Sequence, residues 1–451
     1  MSAVKFSFTP ARLEALAADG LAHARAQGAS DAEFEVSEGY GLSVTARMGE
    51  VENIEHNRDK GLNVSVYIGQ RKGYASSSDF SAAAVMATVA AAIDIAKYTA
   101  QDDCAGLADA ALLARAPADP GLLYPWTIGV PEAIDLAKGV EAAAFAVSPM
   151  IRNSEGASVS AQHSQFVYAN SRGFCGGYAA SRHYVSCSVI AARSARAKNA
   201  MQRDDWYVSA RDAADFAEPT RIGDYCARRA LARLGAGRIS TRQCAVLFEA
   251  PVAIGLVGSL VSAASGGSLY RKTSFLVDAL GRRIFAPGVR LSEDPSVPKG
   301  FASGPFDDEG VATRKRDVVR DGVLEGYFLS TYSAKKLGMQ STGNAGGCHN
   351  MLLHPTEDAD FKAMLRKLGS GLLVTDLMGQ GVNYVTGDYS RGASGYWVEG
   401  GVIAHPVEEI TIAGNLKDMY LGLVAAGSDL VTRGSMTAGS VLIDRMTVAG
   451  D

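Results

Sequence analysis

The sequence predicts an α+β protein with two domains: an N-terminal α/β domain with antiparallel strands over residues 1–237, and a β-rich C-terminal domain over residues 238–451. Three observations support this prediction. The 451 residues exceed the size at which one hydrophobic core keeps growing. Helical stripes and short alternating segments share the first half, up to Gly235-Ala236-Gly237. Glycine-punctuated segments of strand length dominate the second half, which we expect to be barrel-like or a sandwich.

The N-terminal elements begin with a helix. Thr9 and Pro10 are a cap and a first-turn proline, and the apolar stripe that follows them ends near Gly28. Alternating segments between residues 32 and 74, broken by glycines, predict antiparallel strands joined by tight turns. Further helices are expected over residues 81–98, 132–147 and 222–234, and strands over residues 157–168 and 182–192.

The C-terminal half opens with an apolar run over residues 244–264 that approaches the length of a membrane span. Glu249 and Pro251 interrupt this run, so we expect a buried strand over residues 244–248, then a helix opened by the proline, and no membrane span. Gly400-Gly401 predicts a two-residue hairpin turn. Further strands are expected over residues 323–329, 372–376, 396–399, 402–405 and 409–412.

Charge and cysteine content limit the possible partners and the compartment. The net charge is −4, and the basic run Arg314-Lys315-Arg316 is followed at once by Asp317, so we expect no binding to nucleic acid. The six cysteines occur singly, without a C-x-x-C pair, which argues against a disulfide framework or a zinc knuckle. No apolar stretch of signal-peptide length precedes the first helix, so a cytoplasmic protein with reduced thiols is expected.

No catalytic motif emerges from the residues alone. A zinc peptidase needs converging imidazoles or thiolates and a carboxylate, but the closest histidines, His349 and His354, are five residues apart and Pro355 ends their segment. In Cys348-His349-Asn350 the side chains of neighbours point in different directions, so they cannot form a catalytic dyad with each other. The segment 387–392 has one residue too many before its serine for a G-x-S-x-G elbow.

Four C-terminal segments carry more information. They are SGGSLYRKTSFL (265–276), STGNAGGCHN (341–350), VTDLMGQG (374–381) and GDYSRGASGYWVEGGVIAHPVEEITIAGNLKDMY (387–420). Together they resemble the PmbA (TldE) type of the TldD/PmbA family, and the match covers nearly all of the C-terminal half in order and spacing. The resemblance implies a cytoplasmic heterodimer of a TldD-type and a PmbA-type subunit that degrades or trims unfolded peptides, including precursors of modified peptide toxins.

The same resemblance implies where a zinc site would lie. TldD-type subunits carry H-E-x-x-x-H just before a G-L-x-G stretch, with a further cysteine ligand near the C-terminus. Here G-L-x-G is residues 255–258, so the two histidine positions fall on Glu249 and Ile254, and the glutamate position falls on Ala250. No cysteine follows Cys348. We therefore assign no catalytic or metal-binding residue and no cofactor to this chain, and expect zinc in its TldD-type partner.

The resemblance further implies a subunit that completes a dimer, encloses a chamber and admits extended peptides, which can add as a strand to a sheet edge. The glycine-rich loops 343–350 and 387–395 are expected to face the partner or the peptide. Their candidate residues are Asn344, Cys348, His349, Asn350, Asp388, Tyr389 and Arg391.

The alternative is a non-proteolytic homodimeric modulator that binds another protein. An autonomous peptidase would require Cys348, His349 and a carboxylate to converge. A chain without its partner is expected to form a twofold homodimer.

Overall fold

A computed structural model describes residues 6–193 and 201–450. Its N-terminal part is an antiparallel sheet of six strands: β1 (Asp31–Arg47), β2 (Glu50–Ile68), β3 (Arg71–Ser77), β4 (Ile151–Asn170), β5 (Cys175–Ala192) and β6 (Met201–Ala210). Their spatial order is β3–β2–β1–β4–β5–β6. Strand β1 pairs along most of its length with β2 on one side and β4 on the other.

Four helices cover one face of this sheet: α1 (Pro10–Ala26), α2 (Ala82–Tyr98), α3 (Val130–Val147) and α4 (Thr220–Ala232). Alternate residues of β1 point toward them. Phe34 and Val36 belong to the core under α1 and α2, and Leu42 and Val44 belong to the core under α3 and α4. Because successive side chains of a strand point to opposite faces, the other face of the sheet is left to the C-terminal part of the chain.

The predicted N-terminal helices are confirmed to within two residues. The Thr9 hydroxyl accepts a hydrogen bond from the backbone N–H of Arg12, and Ser81 caps α2 in the same way. The predicted strands over residues 157–168 and 182–192 are the inner parts of the longer β4 and β5. Strand β6 was not expected, because its sequence, MQRDDWYVSA, carries three charges and little alternation.

The C-terminal part contains a closed barrel. Its five strands are β7 (Arg242–Phe248), β12 (Gly371–Met378), β13 (Asp388–Glu399), β14 (Val402–Asn415) and β18 (Val441–Ala449). They follow the order β14–β13–β12–β7–β18, and pairing of β14 with β18 closes the ring. The predicted α+β class is therefore confirmed, with the barrel rather than the sandwich as the C-terminal form.

A second C-terminal sheet and five helices surround the barrel. The remaining strands are β8 (Leu291–Glu293), β9 (Arg316–Arg320), β10 (Val323–Leu324), β11 (Met351–Leu353), β15 (Leu423–Ala426), β16 (Val431–Arg433) and β17 (Met436–Ala438). The helices are α5 (Ala250–Ala263), α6 (Gly266–Tyr270), α7 (Thr331–Lys336), α8 (Phe361–Leu368) and α9 (Leu416–Leu421). The sheet order is β10–β9–β8–β11–β17–β16, while β15 pairs with β18 at the barrel.

Two local predictions were wrong. Residues 323–329 do not form one strand, because β10 ends at Leu324 and the groups after it bond to different segments. The backbone of Phe328 bonds to Ala264 and Gly266, and Arg316 donates to the carbonyl of Tyr327. Of the predicted loop 387–395, only Gly387 precedes the strand, and residues 388–395 are the first part of β13. A Cβ at Gly395 would lie 1.9 Å from the carbonyl oxygen of Leu373, so this glycine permits close strand packing rather than a turn.

The hairpin turn is confirmed. Gly400 and Gly401 have φ values of 56° and 78°, and they join β13 to β14 where Glu399 pairs with Val402. The apolar run near residue 250 divides into β7 and α5 as predicted. Within the described residues, no helix combines the length and apolarity needed to cross a membrane. The domain division at residue 237, between α4 and β7, stays a prediction.

Candidate functional site

The candidate site is a cleft along helix α5, at the position where the family resemblance implies a zinc helix. Helix α5 begins after Glu249, whose backbone N–H donates to the carbonyl of Val374 in the middle of β12 (3.0 Å). Pro251, Gly255 and Ser262 recur at intervals that place them on one face of the helix. This face borders two cavities, of 630 Å³ beside Pro251 and 360 Å³ beside Gly255 and Ser262.

An ion network fills the wall beside the larger cavity. Arg229 on α4 donates to both carboxylate oxygens of Glu249 (2.8 and 3.1 Å) and to Asp204 on β6 (3.0 Å). Arg233, one turn further along α4, donates to Asp204 (3.4 Å) and to the Ser394 hydroxyl on β13 (2.8 Å). The network therefore ties the N-terminal sheet, α4, α5 and the barrel together at one point.

Burial makes this network energetically important. The side chains of Arg229, Glu249 and Asp204 are only 15%, 14% and 8% exposed. Burial raises the pKa of Glu249, and the Arg229 guanidinium opposes that rise. Burial disfavours the charged form of Arg229, but Glu249 and Asp204 outweigh it and raise the pKa of the guanidinium. Removing one partner would leave a buried charge without compensation, which is far costlier than losing a surface pair.

The larger cavity is also lined by Arg433, from the end of β16. Its guanidinium carbon lies 4.6 Å from the ring centre of Trp206 and 4.1 Å from that of Tyr207. Burial lowers its pKa, while the neighbouring Tyr207 favours the charged form. Within the described residues, Arg433 has no carboxylate partner, so aromatic rings hold it in place. The larger cavity is therefore lined by arginines, by acidic side chains and by an aromatic wall.

Two of the predicted site residues, Asn344 and His349, bind a buried carboxylate away from this cleft. Glu293 on β8 is 1% exposed. It accepts hydrogen bonds from Arg316 (2.6 Å), from the Asn344 amide (3.0 Å) and from the backbone N–H of His349 (3.0 Å). Asn350 bonds instead to the carbonyl of Asp294 and to the Ser303 hydroxyl. These hydrogen bonds hold the glycine-rich segment 343–350 against the second C-terminal sheet.

Cys348 and His349 do not form a catalytic pair in this structure. Both ring nitrogens of His349 face backbone carbonyls, those of Ala302 (3.1 Å) and Gly343 (2.7 Å). The Cys348 thiol lies near the hydroxyl of Ser435 (3.9 Å). Burial raises the pKa of Cys348 to about 11, so the thiol is protonated at neutral pH and is a poor nucleophile.

The three predicted residues on β13 differ from one another. Asp388 is exposed and bonds to its neighbours Thr386 and Asn415. Tyr389 is 3% exposed and belongs to the C-terminal core. Arg391 lines the smaller cavity along α5. Of the seven predicted residues, Arg391 alone borders the cleft, and whether any of the seven meets a partner or a peptide stays a prediction.

The sequence did not predict most of the residues that line the cleft. Arg229 and Arg233 lie four residues apart in a segment that was correctly predicted as a helix. That spacing places them on one face, but an exposed basic face has the same pattern. Asp204 and Trp206 lie on the unexpected strand β6, and Arg433 is the last residue of a strand of three. No local sequence pattern indicates that these residues lie close together in the fold.

The sequence matches three family descriptions in chain order: PmbA/TldA metallopeptidase domain 1 over residues 32–96, the central domain over residues 123–234, and the C-terminal domain over residues 241–450. It is 48% identical over 426 residues to Metalloprotease PmbA of Escherichia coli O157:H7, covering 94% of each chain. The chain belongs to the PmbA/TldD metallopeptidase family. The Metalloprotease PmbA homolog of Haemophilus influenzae is 46% identical over 424 residues, covering 94% of this chain and 93% of the relative.

Solved structures of the same fold support this assignment. A Bacteroides thetaiotaomicron protein named as a candidate modulator of DNA gyrase has a TM-score of 0.91 and 25% identity, covering 97% of this chain and 99% of its own. TldE from Thermococcus kodakarensis has a TM-score of 0.79 at 18% identity, covering 97% of this chain and 99% of its own, a likeness that concerns the fold alone.

The side chains at the zinc position of the PmbA/TldD family do not fit a zinc ion in this chain. Ala250 and Ile254 have no donor atom, and they are 2% and 8% exposed. Glu249 does have donor atoms, but both of its oxygens accept from Arg229. Across residues 6–193 and 201–450, no group of three or more His, Cys, Asp or Glu side chains is arranged to hold a metal. We derive no catalytic step through zinc at this cleft.

Proposed function

We propose that this chain is the PmbA/TldE-type subunit of a TldD/PmbA metallopeptidase complex that degrades or trims unfolded peptides, with zinc bound by the TldD-type subunit. The observation that carries the proposal is that Glu249 and Ile254 stand at the two zinc-binding histidine positions and Ala250 stands at the position of the motif glutamate. Two of these side chains cannot coordinate a metal, and the third is engaged by an arginine. A cytoplasmic location is part of the proposal, and the six free cysteines support it.

The energetics of the cleft favour zinc binding by the TldD-type subunit rather than by this chain. For Glu249 to coordinate zinc, its carboxylate would first have to leave Arg229, and that guanidinium would be left facing Asp204 alone. Breaking a buried ion pair typically costs about 3–5 kcal/mol. One carboxylate without imidazole or thiolate neighbours would not repay this cost, because protein zinc sites use three or four ligands. The arginines therefore stabilise the cleft as a structural junction.

The chain would contribute shape and binding surface to the complex. Its fold places a cleft along α5, where the catalytic helix of a TldD-type subunit would lie. Paired subunits of the same fold would enclose a chamber between them, and a chamber admits extended chains while excluding folded ones. An extended peptide can bind through its backbone to a sheet edge, which gives affinity with little sequence preference.

The test is cleavage of an unfolded, fluorescently labelled peptide by this chain alone, by a TldD-type subunit alone and by their mixture. Cleavage in the mixture that exceeds the sum of the separate reactions is expected. A matched control replaces the motif glutamate of the TldD-type subunit by glutamine, which should abolish cleavage by the mixture. Cleavage by this chain alone would overturn the proposal.

The alternative function is a non-proteolytic homodimeric modulator that binds another protein. A structural neighbour named as a candidate modulator of DNA gyrase gives this alternative its support. It predicts that adding this chain to a TldD-type subunit changes neither the cleavage rate nor the elution volume on gel filtration. Without its partner we propose a twofold homodimer, which should bury at least about 1,000 Å².

A further inference from the structure

Another cavity, of 370 Å³, lies between the N-terminal sheet and the C-terminal part of the chain. Its floor is the sheet face that the helices do not cover, where Gly39 pairs with Ser164 and Gln162 pairs with Arg182. Phe301 from the C-terminal part covers it. The residues that line it include two arginines and no aspartate or glutamate. A cavity with this lining attracts an anion.

Arg211 is the buried cation of this cavity, at 8% exposure. Its guanidinium donates to three neutral carbonyl oxygens, those of Ser181 (3.0 Å), Phe301 (2.8 Å) and Gly300 (3.3 Å). A guanidinium has five N–H groups, so two remain available. No carboxylate among the described residues pairs with it. A buried charge without a countercharge is unfavourable, and a bound anion would offset this cost.

Arg182 supplies a second guanidinium at the mouth of the cavity. Its guanidinium carbon lies 5.1 Å from the ring centre of Phe301, and that of Arg211 lies 5.4 Å from the same ring. Burial lowers the pKa of Arg211, and the charge of Arg182 adds to this effect. Two like charges held beside one ring repel each other, and an anion bound between them would relieve the repulsion.

Neutral donors complete the lining. Asn57 donates one amide hydrogen to Asp59 (3.2 Å), which leaves its second amide hydrogen for a ligand. Ser164 adds an exposed hydroxyl. The Asp59 carboxylate, two residues along β2 and on the same sheet face, is held by the Asn57 amide beside the cavity and is not among the residues that line it. The set of donors matches a planar oxyanion, because arginine binds carboxylates through paired N–H groups.

We propose that this pocket binds the carboxylate of an extended peptide. The carboxylate can come from the peptide C-terminus or from an aspartate or glutamate side chain. The assignment to a peptide rests on the proposed function, whereas the assignment to an oxyanion rests on the geometry. At 370 Å³ the cavity is at the small end of the range for ligand sites, about 300–1,000 Å³, which suits a peptide end or one side chain.

The first experiment measures binding of labelled peptides to the full chain by fluorescence anisotropy, without partner or metal. One peptide has a free C-terminus and no acidic residue. The second is its C-terminal amide, and the third is that amide with one glutamine changed to glutamate. We expect the neutral amide to bind at least about tenfold more weakly than one of the carboxylate peptides. The stronger of those two identifies the source of the carboxylate.

Two variants locate the site. Arg182→Gln should abolish the preference for the carboxylate peptide over the neutral amide. The matched control is Arg152→Gln, an exposed arginine on β4 that lies ten positions from Gln162, about 30 Å along the strand. It should retain the preference of the wild-type chain.

Three outcomes would overturn the proposal: equal binding of all peptides, an Arg182→Gln variant that retains the preference, or binding of inorganic phosphate, measured by calorimetry, to a chain that binds none of the peptides. The last outcome would assign the pocket to a free inorganic anion. Because binding is measured on the chain alone, a failure here leaves stimulated cleavage by the mixed subunits unaffected. A failure of stimulated cleavage would in turn leave the binding preference measurable.

Discussion

Replacing Arg229 by methionine tests whether the buried ion network stabilises the junction at α5. The substitution keeps much of the side-chain volume and removes the charge. Asp204 would retain Arg233 at 3.4 Å, but Glu249, at 14% exposure, would lose its guanidinium partner. Breaking a buried pair in this way is expected to lower the free energy of unfolding by about 3–5 kcal/mol. The loss should be larger at pH 8 than at pH 5, because protonation of Glu249 removes the uncompensated charge.

The assay is urea denaturation followed by circular dichroism, with the free energy taken from the midpoint and slope. The matched control is Arg228→Met, at the preceding position of α4. Arg228 is 66% exposed and pairs with Asp224 across one helical turn, so its removal should cost at most about 1 kcal/mol. Arg229→Lys should fall between the two, because lysine lacks the planar fork that reaches both carboxylates. An Arg229→Met variant as stable as the control would refute this reasoning.

Three further predictions concern other buried groups. Glu293→Gln removes the charge that Arg316 meets at 2.6 Å and should lower the free energy of unfolding by about 3 kcal/mol; an unchanged urea midpoint would contradict this. Because burial raises the pKa of Cys348 to about 11, iodoacetamide at pH 7.5 should alkylate the exposed Cys175 of the native protein and spare Cys348; equal labelling of both in peptide mass spectra would contradict this. Burial lowers the pKa of His163 to about 4, below its unfolded value of 6.5, so the unfolded chain binds an extra proton between these values. Native stability should therefore fall by up to about 3 kcal/mol as the pH drops from 6.5 to 4, and a His163→Gln variant with the same slope would count against this explanation.

Local chemistry predicted most of the fold. The Thr9 cap and the Gly400-Gly401 turn act within a few residues, so their outcome depends little on distant parts of the chain. Strand β6 was missed because its edge position tolerates charged residues and weak alternation. Gly395 was interpreted as a loop residue because the sequence does not show that the carbonyl of Leu373 lies against it.

The candidate site was less predictable, because residues far apart in sequence form it. Glu249 and Arg229 are 20 positions apart, and Arg433 reaches the same cavity from much later in the chain. The family resemblance located α5 and the positions at which zinc ligands would be expected, but it did not indicate which side chains surround them. The Glu293 cluster shows the same limit, since the sequence, which predicted that Asn344 faces a partner or a peptide, did not indicate that its amide donates to a carboxylate 51 positions away.

The most direct test of the proposed function is native mass spectrometry of this chain and a TldD-type subunit, purified separately and then mixed, with zinc counted on each species. The account predicts no zinc on this chain alone, zinc on the TldD-type subunit, and a mixed complex that contains both chains and carries only the zinc of the TldD-type subunit. Stoichiometric zinc on this chain alone would contradict the account, because the arrangement of Glu249, Ala250 and Ile254 offers it no ligand set.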